Sequence, residues 1–376
     1  MKLAEVCSIV GGGTPSKKNK AYYSGNIPWA SVRDMNKPIL TSTEFRISDE
    51  AVRESATNVI PAGEVIISTH VGLGKVCILA QDTAINQDLK AVIPTVDIDR
   101  RYLYHWFVSQ APKLVAAGKG ATVKGVTVKF VLDLDIPIPS RNSQQSIAKQ
   151  LSLVLECVKK RQAQLARLDA LAKSLFVEMF ATKCPTVSIG DLFHVGGPKR
   201  IHKGEWTNKG VPFWKVSELT ARITGEQVKP SAFISSSRYR QLKDEGFVPV
   251  PSDILVTARG TLGKFYVVRA EDEFYFQDGM ITWLSRMSPR LNLSYFLAAV
   301  SSPEFRKQYE GKSPGTTVAY LSISQLSKLT VPLPPLSLQQ AFAERVEAID
   351  KSKFAIRKSL DELNRLYRSL LQQYFG

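Results

Sequence analysis

Ile136-Pro137-Ile138-Pro139-Ser140-Arg141-Asn142-Ser143-Gln144-Gln145 returns 195 residues later as Val331-Pro332-Leu333-Pro334-Pro335-Leu336-Ser337-Leu338-Gln339-Gln340. Each copy is apolar residues alternating with proline, followed by paired glutamines. Past this pattern the offset stays fixed to the end of the chain, through Ala148/Ala343, Leu165/Leu360, Leu168/Leu363, Ser174/Ser369, Leu175/Leu370 and Phe180/Phe375. A frame held that long is a duplication, and a repeat sets the architecture before any single element does. Upstream the echo continues with a drifting offset, as loops of unequal length require. Ile27-Pro28-Trp29 matches Val211-Pro212-Phe213, Val65-Ile66-Ile67-Ser68 matches Ile254-Leu255-Val256-Thr257, and Leu73-Gly74-Lys75 matches Leu262-Gly263-Lys264. Gln87-Asp88 matches Gln277-Asp278, and Gly120-Ala121-Thr122-Val123 matches Gly315-Thr316-Thr317-Val318.

Each repeat has two parts. The first, residues 1–142 and 183–337, shows short β-rich runs punctuated by Gly, Pro and Asn, and reads as a mixed α+β globular domain. The second, residues 143–182 and 338–376, is rich in Leu, Ala, Gln, Lys, Arg and Glu, with neither Gly nor Pro across 143–180 and 338–375. Those are helix formers, so each reads as one long helix. Ile147, Leu151, Val154, Val158, Arg161, Leu165, Leu168, Ala172, Leu175 and Met179 step by four and three. Their equivalents are Phe342, Val346, Ile349, Lys353, Ile356, Leu360, Leu363, Tyr367, Leu370 and Tyr374. A sustained stripe of period 3.5 is a coiled-coil seam. Two such helices in one chain bury their stripes most simply against each other. At about 38 residues each would be roughly 57 Å long, a spacer between two globular domains. Lys353 and Arg161 interrupt the stripe, and either snorkel out of it or fix its register.

The chain has 376 residues, 44% hydrophobic and 22% charged, the profile of a globular protein with room for two or three domains. Lys and Arg number 50 against 34 acids, giving +16, and the pI is near 9.6. That balance suits a polyanionic partner. The two globular parts hold most of the excess, with 17 basic residues against 13 acidic in 1–142 and 20 against 13 in 183–337. Cys7, Cys77, Cys157 and Cys184 form no C-x-x-C pair, and no run of about 18 apolar residues occurs. Neither a disulfide framework nor a membrane span is expected, and a cytoplasmic location is.

Motifs for catalysis fail on their own chemistry. Gly11-Gly12-Gly13-Thr14-Pro15 and Gly72-Leu73-Gly74-Lys75 lack the Walker spacing, since Thr69 and Val76 stand where Gly and Ser or Thr are needed. Gly311-Lys312-Ser313-Pro314-Gly315 fits G-x-S-x-G, but Pro314 has no N–H for an oxyanion hole. Leu333-Pro334-Pro335-Leu336 is partly similar to an amino-methyltransferase loop, yet lacks the acid or amide and the aromatic residue that would hold the amine. His70, His105, His194 and His202 are scattered, with no metal-binding spacing. A non-catalytic chain that binds no cofactor or metal is expected.

Gly12-Gly13-Thr14-Pro15-Ser16, followed by Tyr22-Tyr23-x-Gly25-x-Ile27-Pro28-Trp29 and Asp34, resembles the opening of a target recognition domain from the specificity subunit of type I restriction-modification systems. The proline pattern running into Gln144-Gln145 and Gln339-Gln340 and a Leu-rich helix resembles that family's conserved spacer regions. The second domain differs at its start, where Gly196-Gly197-Pro198-Lys199 stands in place of Gly-Gly-Thr-Pro. The resemblance covers essentially the whole chain. It implies an α+β tandem of two target recognition domains, 1–142 and 183–337. Each precedes a spacer helix, 143–182 and 338–376, and the two helices pack as an antiparallel coiled coil. It further implies a subunit that reads double-stranded DNA, each domain taking one half of a split target. Two modification subunits carrying S-adenosylmethionine would dock on the helices, and restriction subunits would supply ATP- and Mg-dependent functions. The alternative is a stand-alone nucleic-acid adaptor without a methyltransferase partner.

Differences between the repeats at shared positions point to base reading, and identities to backbone positioning. Lys75 and Lys264, in the same Leu-Gly-Lys turn, are the shared phosphate candidates. His70 and Arg259 occupy one equivalent position, and an arginine there would reach guanine O6 and N7. Further DNA candidates are Arg33, Arg222, Lys119, Lys124, Lys312, Lys17, Lys18, Lys20, Lys199, Arg200 and Lys203. Because the two domains differ at many loop positions, the target is expected to be asymmetric.

Overall fold

The computed structural model describes residues 1–118, 125–180, 184–226, 228–310 and 320–376. It divides into two compact units, Met1–Gln164 with Ile356–Gly376, and Leu165–Ala355. Each unit is thus a globular domain plus one end of each of two long helices, Arg141–Phe180 and Leu336–Phe375.

The first domain contains strands β1 (Cys7–Gly11), β2 (Ile27–Ala30), β3 (Ile39–Leu40), β4 (Phe45–Ile47), β5 (Asn58–Ile60), β6 (Val65–Ser68), β7 (Val76–Leu79), β8 (Thr83–Ile85) and β9 (Leu89–Pro94). They form two sheets, ordered β1-β9-β6-β7-β3 and β4-β2-β8-β5. The second contains β10 (Thr186–Ser188), β11 (His194–Gly196), β12 (Trp206–Thr207), β13 (Val211–Trp214), β14 (Phe233–Ile234), β15 (Ile254–Thr257), β16 (Phe265–Val267), β17 (Tyr275–Phe276), β18 (Ile281–Ser285) and β19 (Thr330–Pro332). Its sheets run β11-β18-β15-β16 and β12-β14-β13-β17, with β10 and β19 paired separately. The order β1-β9-β6-β7 therefore recurs as β11-β18-β15-β16. The parallel pair β2/β8 recurs as β13/β17.

The matching runs Val65–Ser68 and Ile254–Thr257 are buried at every position. Side chains alternate faces along a strand, so an unbroken apolar run needs cover on both. Val65 and Ile67 face a core with Tyr102, Trp106 and Phe107 of the helix Arg100–Ala117, while Ile66 joins Ala30, Leu79 and Ile85 on the other side. In the second domain Ile254 and Val256 pack with Tyr295 and Phe296 of the helix Leu293–Val300, and Leu255 with Trp214 and Phe276.

The repeated proline and glutamine pattern is the clamp that fastens each long helix to its domain. Gln144 and Gln339 are buried. The Gln144 Oε1 accepts the Asp99 amide at 2.9 Å, and its Nε2 donates to the Pro139 carbonyl at 2.9 Å. Gln339 repeats this, accepting from the Asn292 amide at 2.8 Å and donating to the Pro334 carbonyl at 2.8 Å. Asp99 and Asn292 are the N-caps of the two domain helices. The hydroxyls of Tyr102 and Tyr295 donate to the carbonyls of Pro137 and Pro332, each at 2.8 Å. Prolines suit the segment because they hold it extended while leaving every carbonyl free.

Both long helices turn the stripe of period 3.5 away from solvent: Leu151, Val158, Phe342, Ile349 and Tyr367 are buried, and Val154, Leu165, Leu168, Leu175, Val346, Leu360, Leu363 and Leu370 are half-buried. Within each unit the two helices run antiparallel. In the first, Leu151 packs with Tyr367 and Leu371, and the Tyr374 hydroxyl donates to Gln150 Oε1 at 2.8 Å. In the second, Phe342 meets Phe176 and Phe180 with ring centroids 5.7 and 5.4 Å apart. Lys353 pairs across to Asp169 at 2.8 Å. Arg161 instead donates along its own helix to Gln164 at 2.9 Å.

Candidate nucleic-acid interface

The β6–β7 and β15–β16 hairpins carry His70 with Lys75 and Arg259 with Lys264. Their frames are closed by the same bonds: the Ser68 amide donates to the Lys75 carbonyl and the Thr257 amide to the Lys264 carbonyl, both at 3.0 Å. The Val126 amide donates to the Thr69 carbonyl and the Leu321 amide to the Ala258 carbonyl, both at 2.9 Å. Gly74 and Gly263 have φ of +88° and +64°, a region that glycine adopts without strain. The inner turns differ. The Ser68 hydroxyl donates to the Val71 carbonyl, and the Thr257 hydroxyl to that of Thr261. Gly72 has positive φ in one hairpin and Gly260 in the other.

On this shared frame the tips carry different chemistry. In the first, His70 and Val71 are exposed, with the imidazole Nδ1 3.2 Å from the Thr69 hydroxyl. In the second, Arg259 and Gly260 are exposed, and the guanidinium lies over the Tyr320 ring, 4.8 Å from its centroid.

The basic candidates separate into committed and uncommitted cations. Lys75 is half-buried, its ammonium donating to the Val32 carbonyl at 3.2 Å and to Asn36 Oδ1 at 3.4 Å. It ties its hairpin to the loop after β2. Arg222 packs over Trp214, 4.8 Å from the ring centroid, and pairs at 3.4 Å with Asp272, whose side chain is buried. Lys199 pairs with Glu245 at 2.8 Å, and Arg200 with Asp278 at 2.9 Å. Among the described residues, the side chains of Lys17, Lys18, Lys20, Arg33, Lys203, Lys264 and Arg259 form no ion pair or hydrogen bond. Arg33 lines an open pocket of about 360 Å³ with Asn36, Lys37 and Thr41. Lys119, Lys124 and Lys312 lie outside the described residues.

The equivalent acids Asp34 and Glu218 brace loops. Asp34 accepts from the Ser31 and Glu44 amides, both at 2.8 Å. Glu218 accepts from the hydroxyls of Ser217 and Ser231 at 2.6 and 2.7 Å. Burial works to raise the Glu218 pKa, and those hydrogen bonds overcome it, leaving the carboxyl below its usual range. Among the described residues no group of three His, Cys, Asp or Glu side chains is placed to hold a metal ion, and no helix is long and apolar enough to cross a membrane.

Reading the sequence missed Tyr320, Val71 and Gly125, although the offset of 195 places Gly125 opposite Tyr320. It also missed a buried polar group in the first unit. His105 stands between the Tyr367 hydroxyl, 2.9 Å from Nδ1, and the Ser152 hydroxyl, 3.0 Å from Nε2. Burial pushes this imidazole down to about 4, against the opposing pull of Asp99.

Known proteins share this organisation. The chain is 24% identical over 401 residues to the type I restriction enzyme MjaIX specificity subunit of Methanocaldococcus jannaschii, covering 98% of this chain and 90% of that one. It is 36% identical over 156 residues to the EcoR124I/EcoR124II specificity subunit of Escherichia coli, covering 40% and 39%. A solved chain from work on complex assembly and conformational transition of the type I R-M system matches with TM-score 0.63 at 19% identity, over 100% of this chain and 96% of that one. The S subunit from M. genitalium matches with TM-score 0.56 at 15% identity, over 100% and 95%. The family model for the type I restriction modification DNA specificity domain matches twice, over residues 1–169 and 183–365, so this chain, duplicated in sequence and in sheet order, belongs to the type I restriction-modification specificity family.

Proposed function

We propose that this chain reads a bipartite, asymmetric double-stranded DNA target for a type I restriction-modification complex, one half-site per globular domain. The observation that carries the reading is the hairpin frame built twice with different tips, His70-Val71 and Arg259-Gly260. A shared frame gives both domains one way of approaching a groove, and unlike tips give them different sequences to select. The other uncommitted cations, Lys17, Lys18, Lys20 and Arg33 in one domain and Lys203 and Lys264 in the other, supply the phosphate-neutralising charge. Lys75, Arg222, Lys199 and Arg200 already have partners and serve the domain architecture first.

The long helices set the gap between half-sites and dock two modification subunits, with restriction subunits joining the assembly. Support for a twice-used docking surface comes from Leu171 and Leu366, equivalent positions 195 residues apart that are 51% and 47% exposed. Single exposed leucines are ordinary, whereas a matched pair on duplicated helices suits two copies of one partner. This chain performs no chemistry; S-adenosylmethionine, ATP and Mg belong to the partners, and the complex works in the cytoplasm. Affinity purification of the tagged full chain from its host tests the assembly. Recovery with about two methyltransferase subunits per chain is expected, and recovery of a DNA-binding chain with no such subunit would favour a stand-alone adaptor instead.

A further inference from the structure

We infer that Tyr320 is a positioning residue that presents the Arg259 guanidinium to a guanine, so that positions 259, 260 and 320 make the second domain select a G·C pair that the first domain does not. The inference rests on the DNA-reading function proposed above. The Arg259 and Tyr320 backbones form a bridge, and the ring lies under the guanidinium at 4.8 Å. The ring contact uses no acceptor oxygen, and no carboxylate or carbonyl among the described residues accepts from the guanidinium, so its N–H groups remain available to a ligand. Guanine recognition through O6 and N7 needs two N–H groups in one plane, and an aromatic support limits the rotamer freedom that binding would otherwise have to remove.

The first domain excludes the same arrangement. Gly125 stands where the second domain has Tyr320, and a Cβ there would lie 2.8 Å from His70 Cδ2 and 3.1 Å from the Thr69 carbonyl oxygen. The His70 ring fills the space that an aromatic support would need. Imidazole offers no bidentate fork, and the neighbouring Val71, 51% exposed, replaces Gly260 with an apolar group suited to a thymine methyl. The trio His70, Val71 and Gly125 thus forms one set and Arg259, Gly260 and Tyr320 another.

The test is the adenine-methylation motif written in host DNA by the full complex, sequenced for the parent and for Arg259→Ala, Arg259→Lys, Tyr320→Phe and Tyr320→Ala. Arg259→Ala and Arg259→Lys are expected to lower the preference for guanine at one position of one half-site by about 5- to 100-fold, leaving the other half-site unchanged. Tyr320→Ala should relax the same position in part, and Tyr320→Phe should keep the parent motif. Unfolding midpoints equal to the parent's separate specificity from folding, and the two Arg259 variants carry the test if Tyr320→Ala unfolds early. A motif unaltered by Arg259→Ala, or an even loss of methylation at every site with Tyr320→Ala, would overturn the inference while leaving the proposed function intact. A parent chain on which no motif depends would overturn both.

Discussion

Gln144 and Gln339 show how one residue type can fasten an element to a domain. Each buried side chain spends both its acceptor and its donor on backbone groups that are partly or fully shielded from water. Gln144→Ala would strand the Asp99 amide and the Pro139 carbonyl, at a cost of about 1–3 kcal/mol; urea denaturation of the full chain should show it, and a loss under about 0.5 kcal/mol would contradict the clamp. The repeat marked these glutamines in the sequence, but the amides they accept from sit 45 and 47 residues away, beyond what a local pattern reveals. His105 makes a pH prediction. Its folded pKa of about 4 lies below the unfolded value of about 6.5, so the unfolded chain binds the extra proton between those values. Stability from this site is complete above pH 6.5 and falls by about 3 kcal/mol in all as the pH drops to 4. Denaturation from pH 7 to 4 should show that slope added to the contribution of carboxylates such as Glu218, and His105→Phe should be shallower by about that amount; an equal slope in both would reject it. Cation pairing was equally hidden, because Arg222 and Asp272 stand 50 residues apart and only the fold brings them together.

At the scale of elements, the long helices were the most legible feature, since a stripe of period 3.5 needs no tertiary information. Leu151 is fully buried while Leu153 is 51% exposed. Leu151→Ala should cost about 2–5 kcal/mol, with Leu153→Ala close to neutral by the same measurement; equal effects would contradict the seam. Lys353 was ambiguous in sequence between snorkelling and register. The structure pairs it across the seam with Asp169, and with Asp350 on its own helix at 3.4 Å. Because the Asp169 side chain is 58% exposed, solvent screening limits the coupling to about 0.5 kcal/mol. A double-mutant cycle on Lys353 and Asp169 reads it directly, and zero coupling would leave Lys353 no part in register. The short strands were legible only where apolar runs are buried on both faces, as in β6 and β15. Two-residue strands such as β12, β14 and β17 consist of β-favouring residues, Trp-Thr, Phe-Ile and Tyr-Phe, but are too short to show an alternating pattern.

For the whole molecule, duplication is the organising fact, and the two domains have drifted apart where a common frame leaves side chains free to vary. If Leu171 and Leu366 mark two equivalent docking surfaces, Leu171→Glu and Leu366→Glu should each halve the methyltransferase recovered with the chain, and the double variant should lose it without a change in unfolding midpoint. Unchanged recovery in the double variant would move the docking surface elsewhere. Single-molecule sequencing of adenine methylation in host DNA, with this gene present and deleted, asks the two domains directly what they read. Two unlike half-sites separated by a fixed gap, both lost on deletion, are the predicted result. A methylome unchanged by deletion, or a single uninterrupted palindrome, would contradict a reader built from two different domains.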